Sequence, residues 1–461
     1  MPRRYDTLVL GAGPAGQRAA LELARHQRKV ALVEARNVLG GVCLHEGTIP
    51  SKALRTAILY LSGRRQRMLT GSVAWPKQRL SGELLAEHVE RVIERELTVI
   101  HRLMERHGVA VLHGRARFLS NHEVILDETQ RLEAESFVIA VGSKARRFQG
   151  VPYDDEQVID SDQLYSVLAE LPERLTIVGA GVVGMEYASM LALAGYEVCL
   201  VNHRPKALGF VDQDLVAVCL EAFEQEGGRF MAPARVTSVL PAGGDVTLEF
   251  ADGSRMAQDL VMYAVGREAA LVGLGLDQAG VTVDRGCIVV DDHYQTSQPN
   301  IVAAGDVIGP PSLASTSREQ GRLAARSLLD VPARPLPAES IPYGIYTIPE
   351  IAWVGATEQS LGVMGQDVVV GRASYSELAK GEMLGDDSGF LKLLFHPESR
   401  RLIGAGMVGT DASEVIHLAK VMVDRGASLD DLLSDVFNYP TLAEAYKVAA
   451  MDAEVRFDEG A

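Results

Sequence analysis

Tyr5-Asp6-Thr7-Leu8-Val9-Leu10 runs directly into Gly11-Ala12-Gly13-Pro14-Ala15-Gly16, and Leu175-Thr176-Ile177-Val178 runs in the same way into Gly179-Ala180-Gly181-Val182-Val183-Gly184. Each apolar run reads as a buried strand, and each glycine turn opens a helix-forming segment, residues 17–24 in the first copy and up to residue 193 in the second. A second strand follows in both, residues 29–33 ending at Glu34 and residues 197–201 ending at Asn202. From Gly11 to Glu34 and from Gly179 to Asn202 the interval is 23 positions. One G-x-G-x-x-G carries little weight. Two copies in strand-turn-helix context at one spacing decide the fold class as α/β, with two Rossmann-like dinucleotide-binding domains.

The chemistry of such a turn assigns a task to each glycine. The first permits the tight turn, the second lets backbone N–H groups reach a pyrophosphate, and the third lets the helix pack on the strand. The helix N-terminus then faces the phosphate charge. Gly11, Gly13 and Gly16, and again Gly179, Gly181 and Gly184, are therefore candidate cofactor-binding positions. Glu34 stands where an acidic residue accepts hydrogen bonds from ribose hydroxyls, which suits FAD or NAD. The second unit has neutral Asn202 at that position, followed by His203, Arg204 and Lys206. A carboxylate would repel a 2′-phosphate, whereas amide and guanidinium groups accept a phosphate or a hydroxyl. Asn202 and Arg204 are thus expected to admit both NAD(H) and NADP(H). For Arg204 and Lys206 an ordinary solvated surface is the alternative.

Composition narrows the class further. The 461 residues allow about three domains. A hydrophobic content of 47% with 23% charged residues is that of a globular protein rather than a disordered chain. The net charge of −16 argues against a phosphate-backbone binder, so no nucleic-acid partner is expected. The apolar stretch at residues 187–196 falls short of the roughly 20 residues of a membrane span. Arg3 and Arg4 ahead of an apolar run imitate a signal peptide, but the run breaks at once into the glycine turn, which reads as a cytosolic N-terminus. Cys43, Cys199, Cys219 and Cys287 are too scattered for a disulfide scaffold and read as reduced thiols of a cytoplasmic protein.

Other markers set the organisation. Residues 81–107 form a long amphipathic helix with Gly108 as its stop. Apolar strands at 137–141 and 260–265 end in Gly142-Ser143 and Gly266-Arg267, where backbone can approach a ligand closely. A third, at 301–304, ends in Gly305-Asp306. After a proline-rich stretch at 332–342 the pattern changes to alternating strands and two helices with no glycine fingerprint. The expected division is 1–150 and 273–338 for an FAD-binding part, 151–272 for an NAD(P)-binding domain, and 339–461 for a separate C-terminal α+β domain.

Gly40-Gly41-Val42-Cys43-Leu44-His45-Glu46-Gly47-Thr48-Ile49-Pro50-Ser51-Lys52 resembles the segment that carries the redox disulfide in the glutathione reductase and lipoamide dehydrogenase superfamily. The resemblance extends over essentially the whole chain, including Ala304-Gly305-Asp306, residues 349–355 and Tyr439-Pro440-Thr441-Leu442-Ala443-Glu444. It departs from the dithiol enzymes at two places. Their second cysteine is replaced by Thr48, which cannot form a disulfide, so electrons cannot leave a flavin by dithiol relay. Their histidine before the C-terminal proline is replaced by Tyr439. Together with residues 47–55, 344–350 and 437–441, this pattern resembles the soluble pyridine nucleotide transhydrogenases within the superfamily.

That resemblance implies FAD held tightly and non-covalently, NAD(H) and NADP(H) as substrates, and hydride transfer between NADPH and NAD⁺ through flavin N5. It implies a homodimer, or a higher oligomer, formed by the C-terminal domain, with the Tyr439-Pro440 bond cis. It gives Lys52 and Glu186 the catalytic role: a cation beside the flavin stabilises electron density there, and the carboxylate fixes the cation. A structural ion pair between domains is the alternative. Arg36, Gly41, Cys43, Thr48, Gly142, Ser143, Gly266, Gly305, Asp306, Ala314 and Tyr439 complete the implied cofactor surroundings, with Asp306 at the ribityl or phosphate region and Cys43 as a packing residue. No metal site is expected, since Cys43 and His45 lack further ligands. An NAD(P)H:quinone reductase on the same fold, or a non-catalytic flavin-bearing sensor of NAD(P)H, would share these features.

Overall fold

The computed structural model describes residues 3–70 and 78–459. The first glycine turn lies at the centre of a sheet whose parallel strands are Ala110–His113, Val30–Glu34, Arg3–Leu10, Gln130–Ile139 and Ile301–Ala303, in that spatial order. Strand Gln130–Ile139 is longer than the apolar run at 137–141 suggested. Its first half alternates polar and apolar residues and closes an antiparallel meander with Glu123–Leu126 and Ala116–Ser120. Only its second half, buried on both faces, has the continuous apolar signature of a parallel strand.

The second turn lies in an all-parallel sheet ordered Arg229–Met231, Glu197–Val201, Arg174–Val178, Leu260–Tyr263 and Val158–Asp160. Its helix, Val182–Leu193, is buried along nearly its whole length from Gly184 to Leu193. A helix apolar on every side belongs inside a protein. It is wedged between its own sheet and the helix Thr48–Leu61, which accounts for the apolar stretch beginning at Tyr187. Among the described residues no helix is long and apolar enough to cross a membrane. The two glycine-turn units are joined by a two-stranded clasp, Ser143–Ala145 antiparallel to Arg267–Ala269.

Beyond residue 341 the chain forms a five-stranded antiparallel sheet, ordered Tyr343–Ile345, Glu350–Gly355, Leu402–Gly409, Phe390–Phe395 and Val369–Ser374. Two helices were expected here. The long ones are Ala412–Arg425 and Ala445–Asp458, but Glu358–Met364, Ala379–Leu384 and Leu429–Ser434 are also helical. These short helices carry too few turns to show a period. Two of them announce themselves by capping instead: Thr357 with Ser360, and Ser428 with Asp431, form reciprocal capping boxes.

The C-terminal sheet is fastened to the second unit by charge. Lys392, with a side chain only 1% exposed, reaches Asp212 at 2.7 Å, Asp214 at 2.9 Å and Glu358 at 2.6 Å. This acidic cluster has the spacing of a cation site, but the lysine ammonium already occupies its centre.

Candidate functional site

A cleft of about 680 Å³ opens at the C-terminal ends of the first sheet's strands and continues against the helix Val182–Leu193 and the C-terminal domain. Its floor is the first glycine turn. A Cβ on Gly11 would lie 2.3 Å from the Ala140 carbonyl oxygen, and one on Gly16 would lie 1.8 Å from the Gly11 carbonyl oxygen. A Cβ on Gly13 would meet nothing within 4 Å. The outer two glycines are therefore required for close packing, while the middle one exposes bare backbone to the cleft at the start of the helix Pro14–Arg25. The second turn repeats this: 2.5 Å from the Ala264 oxygen at Gly179, 1.8 Å from the Gly179 oxygen at Gly184, and open space at Gly181. Two open glycine cradles at two helix N-termini fit two pyrophosphate groups.

The strand ends match as well. Gly11 and Gly179 each donate their N–H to the strand beside them, to Val33 and Val201, both at 2.8 Å. Glu34 accepts from the Ala12 N–H at 2.9 Å and the Arg36 N–H at 3.0 Å. Asn202 faces the equivalent Ala180 N–H at 3.5 Å, and its amide nitrogen donates to the Arg204 and Lys206 carbonyl oxygens at 2.9 and 3.0 Å. The buried Asn202 side chain is thus turned into its own loop. What faces outward is the exposed set His203, Arg204 and Lys206. The expectation that Asn202 itself meets a 2′ group therefore gives way to one in which it shapes the loop that presents Arg204.

Lys52 and Glu186 meet across the cleft. The ammonium donates to both carboxylate oxygens, at 3.0 and 2.8 Å, and lies 4.5 Å from the centre of the Tyr346 ring. Glu186 is fixed a third time by the Tyr346 N–H at 2.9 Å. The Lys52 side chain is 27% exposed and that of Glu186 7%, so the pair sits at the edge of the cleft with its cation turned toward it. Behind them, Arg55 bonds Glu350 at 2.9 Å and Glu350 accepts from the Ser413 N–H, which ties the helix bearing Lys52 to the C-terminal sheet.

One turn before Lys52, Thr48 hydrogen-bonds the Cys43 thiol, so the group that faces this sulfur is a hydroxyl and not a second thiol. Burial pushes the Cys43 thiol up, and the Thr48 bond offsets this in part. All four cysteines are free. On the opposite wall Asp306 accepts from Ser143 Oγ at 2.5 Å, and Ser143 accepts in turn from Arg267 Nε at 2.9 Å. Arg267 also grips Asp162, so the Gly305-Asp306 corner is linked through the clasp to the second unit.

Of the residues singled out from sequence, Gly11, Gly13, Glu34, Arg36, Gly41, Cys43, Thr48, Lys52, Gly142, Ser143, Glu186, Gly305, Asp306 and Ala314 line this one cleft. Gly16 packs beneath it. Gly179, Gly181, Gly184, Asn202, Arg204 and Gly266 are not on its wall; apart from Gly266 at the clasp, they form the cradle and loop of the second turn. Tyr439 is also outside it, 68% exposed on the C-terminal domain, and its bond to Pro440 is cis as expected. Sequence reading passed over Tyr346, Tyr187, Ser51 and the partner residues of Arg267. Tyr346 and Ser51 lay inside stretches already quoted for their resemblance, but nothing local shows which partner a side chain meets 100 or more positions away.

Comparison with known proteins agrees with this geometry. The sequence model of the pyridine nucleotide-disulphide oxidoreductases matches residues 5–321, and that of their dimerisation domain matches residues 341–450. The chain is 41% identical over 456 residues to a soluble pyridine nucleotide transhydrogenase of Mycobacterium tuberculosis, covering 98% of this chain and 97% of the relative. It is 37% identical to proteins of the same description from Sodalis glossinidius and Escherichia coli, covering 97% of both chains in each case. Among solved structures it resembles LpdA from M. tuberculosis, with a TM-score of 0.88 at 26% identity, covering 97% of this chain and 99% of that one. It also resembles the HOCl-induced flavoprotein disulfide reductase RclA from E. coli, with a TM-score of 0.87 at 25% identity, covering 97% and 99%.

Proposed function

The chain belongs to the pyridine nucleotide-disulphide oxidoreductase family, and from that premise we propose that it is a flavin-dependent pyridine nucleotide transhydrogenase, moving a hydride between NADPH and NAD⁺ without a redox disulfide. The observation that carries the reading is Thr48 against Cys43 beside an intact Lys52–Glu186 pair. The outlet for electrons through thiols is missing, while the charged pair suited to hydride transfer is retained.

The family implies FAD and NAD(P)H. FAD is held tightly and without a covalent bond by the first glycine cradle, Glu34, Arg36 and Asp306. When bound, its ring supplies a single group that accepts a hydride from one nicotinamide and returns it to another. Lys52 places positive charge where the hydride brings negative charge, and Glu186 keeps that cation oriented and limits the cost of its desolvation. The second cradle binds the pyrophosphate of either nicotinamide nucleotide, and the loop from Asn202 to Lys206 accepts a ribose with or without its phosphate. Donor and acceptor use this one site in turn, so NADP⁺ leaves before NAD⁺ enters. Balanced as NADPH + NAD⁺ giving NADP⁺ + NADH, the reaction takes up no proton. This agrees with the absence of a histidine at position 439.

The divisions 1–150, 151–272, 273–338 and 339–461 serve in this reading as FAD-binding, nicotinamide-binding, FAD-binding and dimerisation parts. Two chains pair through the last, bringing Tyr439 to the partner's flavin site. Four free cysteines suit a cytoplasmic location. The test is a comparison of acceptors. With NADPH as donor, the purified holoenzyme should reduce NAD⁺ readily and leave glutathione disulfide and lipoamide at background. Robust disulfide reduction, or quinone reduction with none of NAD⁺, would reject the proposal.

A further inference from the structure

The Lys52 ammonium has three N–H donors. Two meet the Glu186 oxygens, and the third meets Ser51 Oγ at 3.2 Å. Ser51 is buried, and its hydroxyl faces two acceptors, the Thr48 carbonyl oxygen at 3.2 Å and the Tyr165 phenol. Tyr165 OH lies 2.7 Å from Tyr187 OH, and the two rings pack edge to face with centroids 6.2 Å apart. Tyr187 follows Glu186 on the helix Val182–Leu193 and lines the cleft, while Tyr165 lies on the short helix Leu164–Val167. Both tyrosines are on the nicotinamide side, whereas Ser51 and Lys52 lie on Thr48–Leu61. The second unit therefore grips the ammonium twice, directly through Glu186 and indirectly through a chain of hydroxyls. Burial pushes both phenols up, so the chain consists of neutral O–H groups. Neutral hydroxyls orient the ammonium without cancelling its charge, which a second carboxylate would do.

Resting on the transhydrogenase reading, we infer that Tyr165 and Tyr187 are positioning residues, which fix the third donor of Lys52 through Ser51 and hold its charge at one place in the cleft. Glu186 alone leaves the ammonium free to swing about the carboxylate. The Ser51 contact removes that freedom, and the tyrosine pair, together with the Thr48 carbonyl, limits the freedom of Ser51.

The test uses holoenzyme carrying Tyr165→Phe, Tyr187→Phe, Ser51→Ala, and Tyr165→Phe with Ser51→Ala. The phenylalanine variants keep the edge-to-face ring contact and remove only a hydroxyl. Two quantities are read: the midpoint potential of the bound flavin, and kcat and KM for NADPH with NAD⁺ as acceptor. Loss of one such hydrogen bond corresponds to a fall in kcat of about three- to tenfold, with KM nearly unchanged. The flavin potential should move to more negative values in Tyr165→Phe and Ser51→Ala, because a less ordered cation stabilises the reduced form less. The double variant should lose no more than Ser51→Ala alone. Unchanged potentials, even with lowered melting temperatures, would overturn the inference, and so would additive losses in the double variant. If Tyr187→Phe fails to retain FAD, the more accessible Tyr165→Phe decides the matter. Wild-type holoenzyme that fails to reduce NAD⁺ would instead reject the transhydrogenase reading itself.

Discussion

Replacing Glu186 with glutamine tests the charged pair with the smallest change of shape. Glu186 receives three hydrogen bonds, two from Lys52 and one from the Tyr346 N–H. A glutamine oxygen can keep the Tyr346 bond or one Lys52 bond, but its NH₂ group must then face the ammonium or leave its site. At least one charge-assisted bond is lost, and Lys52 remains without a counter-ion. A charge-assisted bond is worth about 1.5 to 3 kcal/mol, and breaking a fully buried ion pair costs about 3 to 5 kcal/mol. Because the Lys52 side chain is 27% exposed, water replaces part of the lost stabilisation. A figure of about 2 to 3 kcal/mol on the hydride-transfer step is reasonable, or about thirty- to one-hundred-and-fiftyfold in kcat. In the proposed reading the second glycine cradle and the loop at 202–206, not Glu186, hold the nucleotide's pyrophosphate and ribose, so KM for NADPH should stay within about threefold. Steady-state assay of FAD-replete Glu186→Gln with NADPH and NAD⁺ supplies both numbers. A kcat within about threefold of wild type would show that the pair is a structural bridge between units and nothing more.

Arg204→Gln should raise KM for NADPH about tenfold, the loss of one charge-assisted contact of roughly 1.5 kcal/mol, and leave NADH unchanged; equal loss for both nucleotides would remove Arg204 from the 2′ position. Because burial raises the Cys43 thiol, iodoacetamide should label the holoenzyme at Cys43 slowly at neutral pH and about tenfold faster per pH unit as pH rises toward the thiol's pKa. Fast labelling independent of pH would mark Cys43 as a reactive thiol. Lys392→Met should lower unfolding stability by about 3 kcal/mol, since it removes the buried cation from between Asp212, Asp214 and Glu358 and leaves Arg372, paired to Asp214 at 2.6 Å and Glu358 at 3.5 Å, as the remaining cation there. Denaturant titration of the holoenzyme reads this, and unchanged stability would show that the carboxylates find other partners.

The parts of this molecule that were legible in sequence are those whose physics is local. Gly16 and Gly184 are fixed by the backbone of their own turns, against the Gly11 and Gly179 carbonyl oxygens, whereas Gly11 and Gly179 are also closed in by the distant Ala140 and Ala264 carbonyls and were legible only through the repeated motif. Ser81 was expected at the start of the long helix, and it caps Gly82–Arg106, accepting from the Leu84 N–H. What stayed hidden depends on distant pairing. Residues 130–136 alternate like any edge strand, and only their meander partners show that they extend a parallel core strand. Asn202 was read by type, as a neutral residue open to a phosphate, whereas its amide is directed by carbonyl oxygens two and four residues on. Lys392 is the one polar residue of the otherwise apolar strand Phe390–Phe395, with no sign that three carboxylates from two other elements converge on it. The Lys52–Glu186 pair became visible only through resemblance, because no spacing rule joins residues separated by 134 positions.

The central claim is that one nicotinamide site serves donor and acceptor in turn, with the hydride held on the enzyme between them. Initial velocities measured over a grid of NADPH and NAD⁺ concentrations test it most directly. The expected result is a family of parallel double-reciprocal lines, the pattern of ping-pong turnover. Intersecting lines would require both nucleotides to be bound at once, and the shared-site account would be wrong.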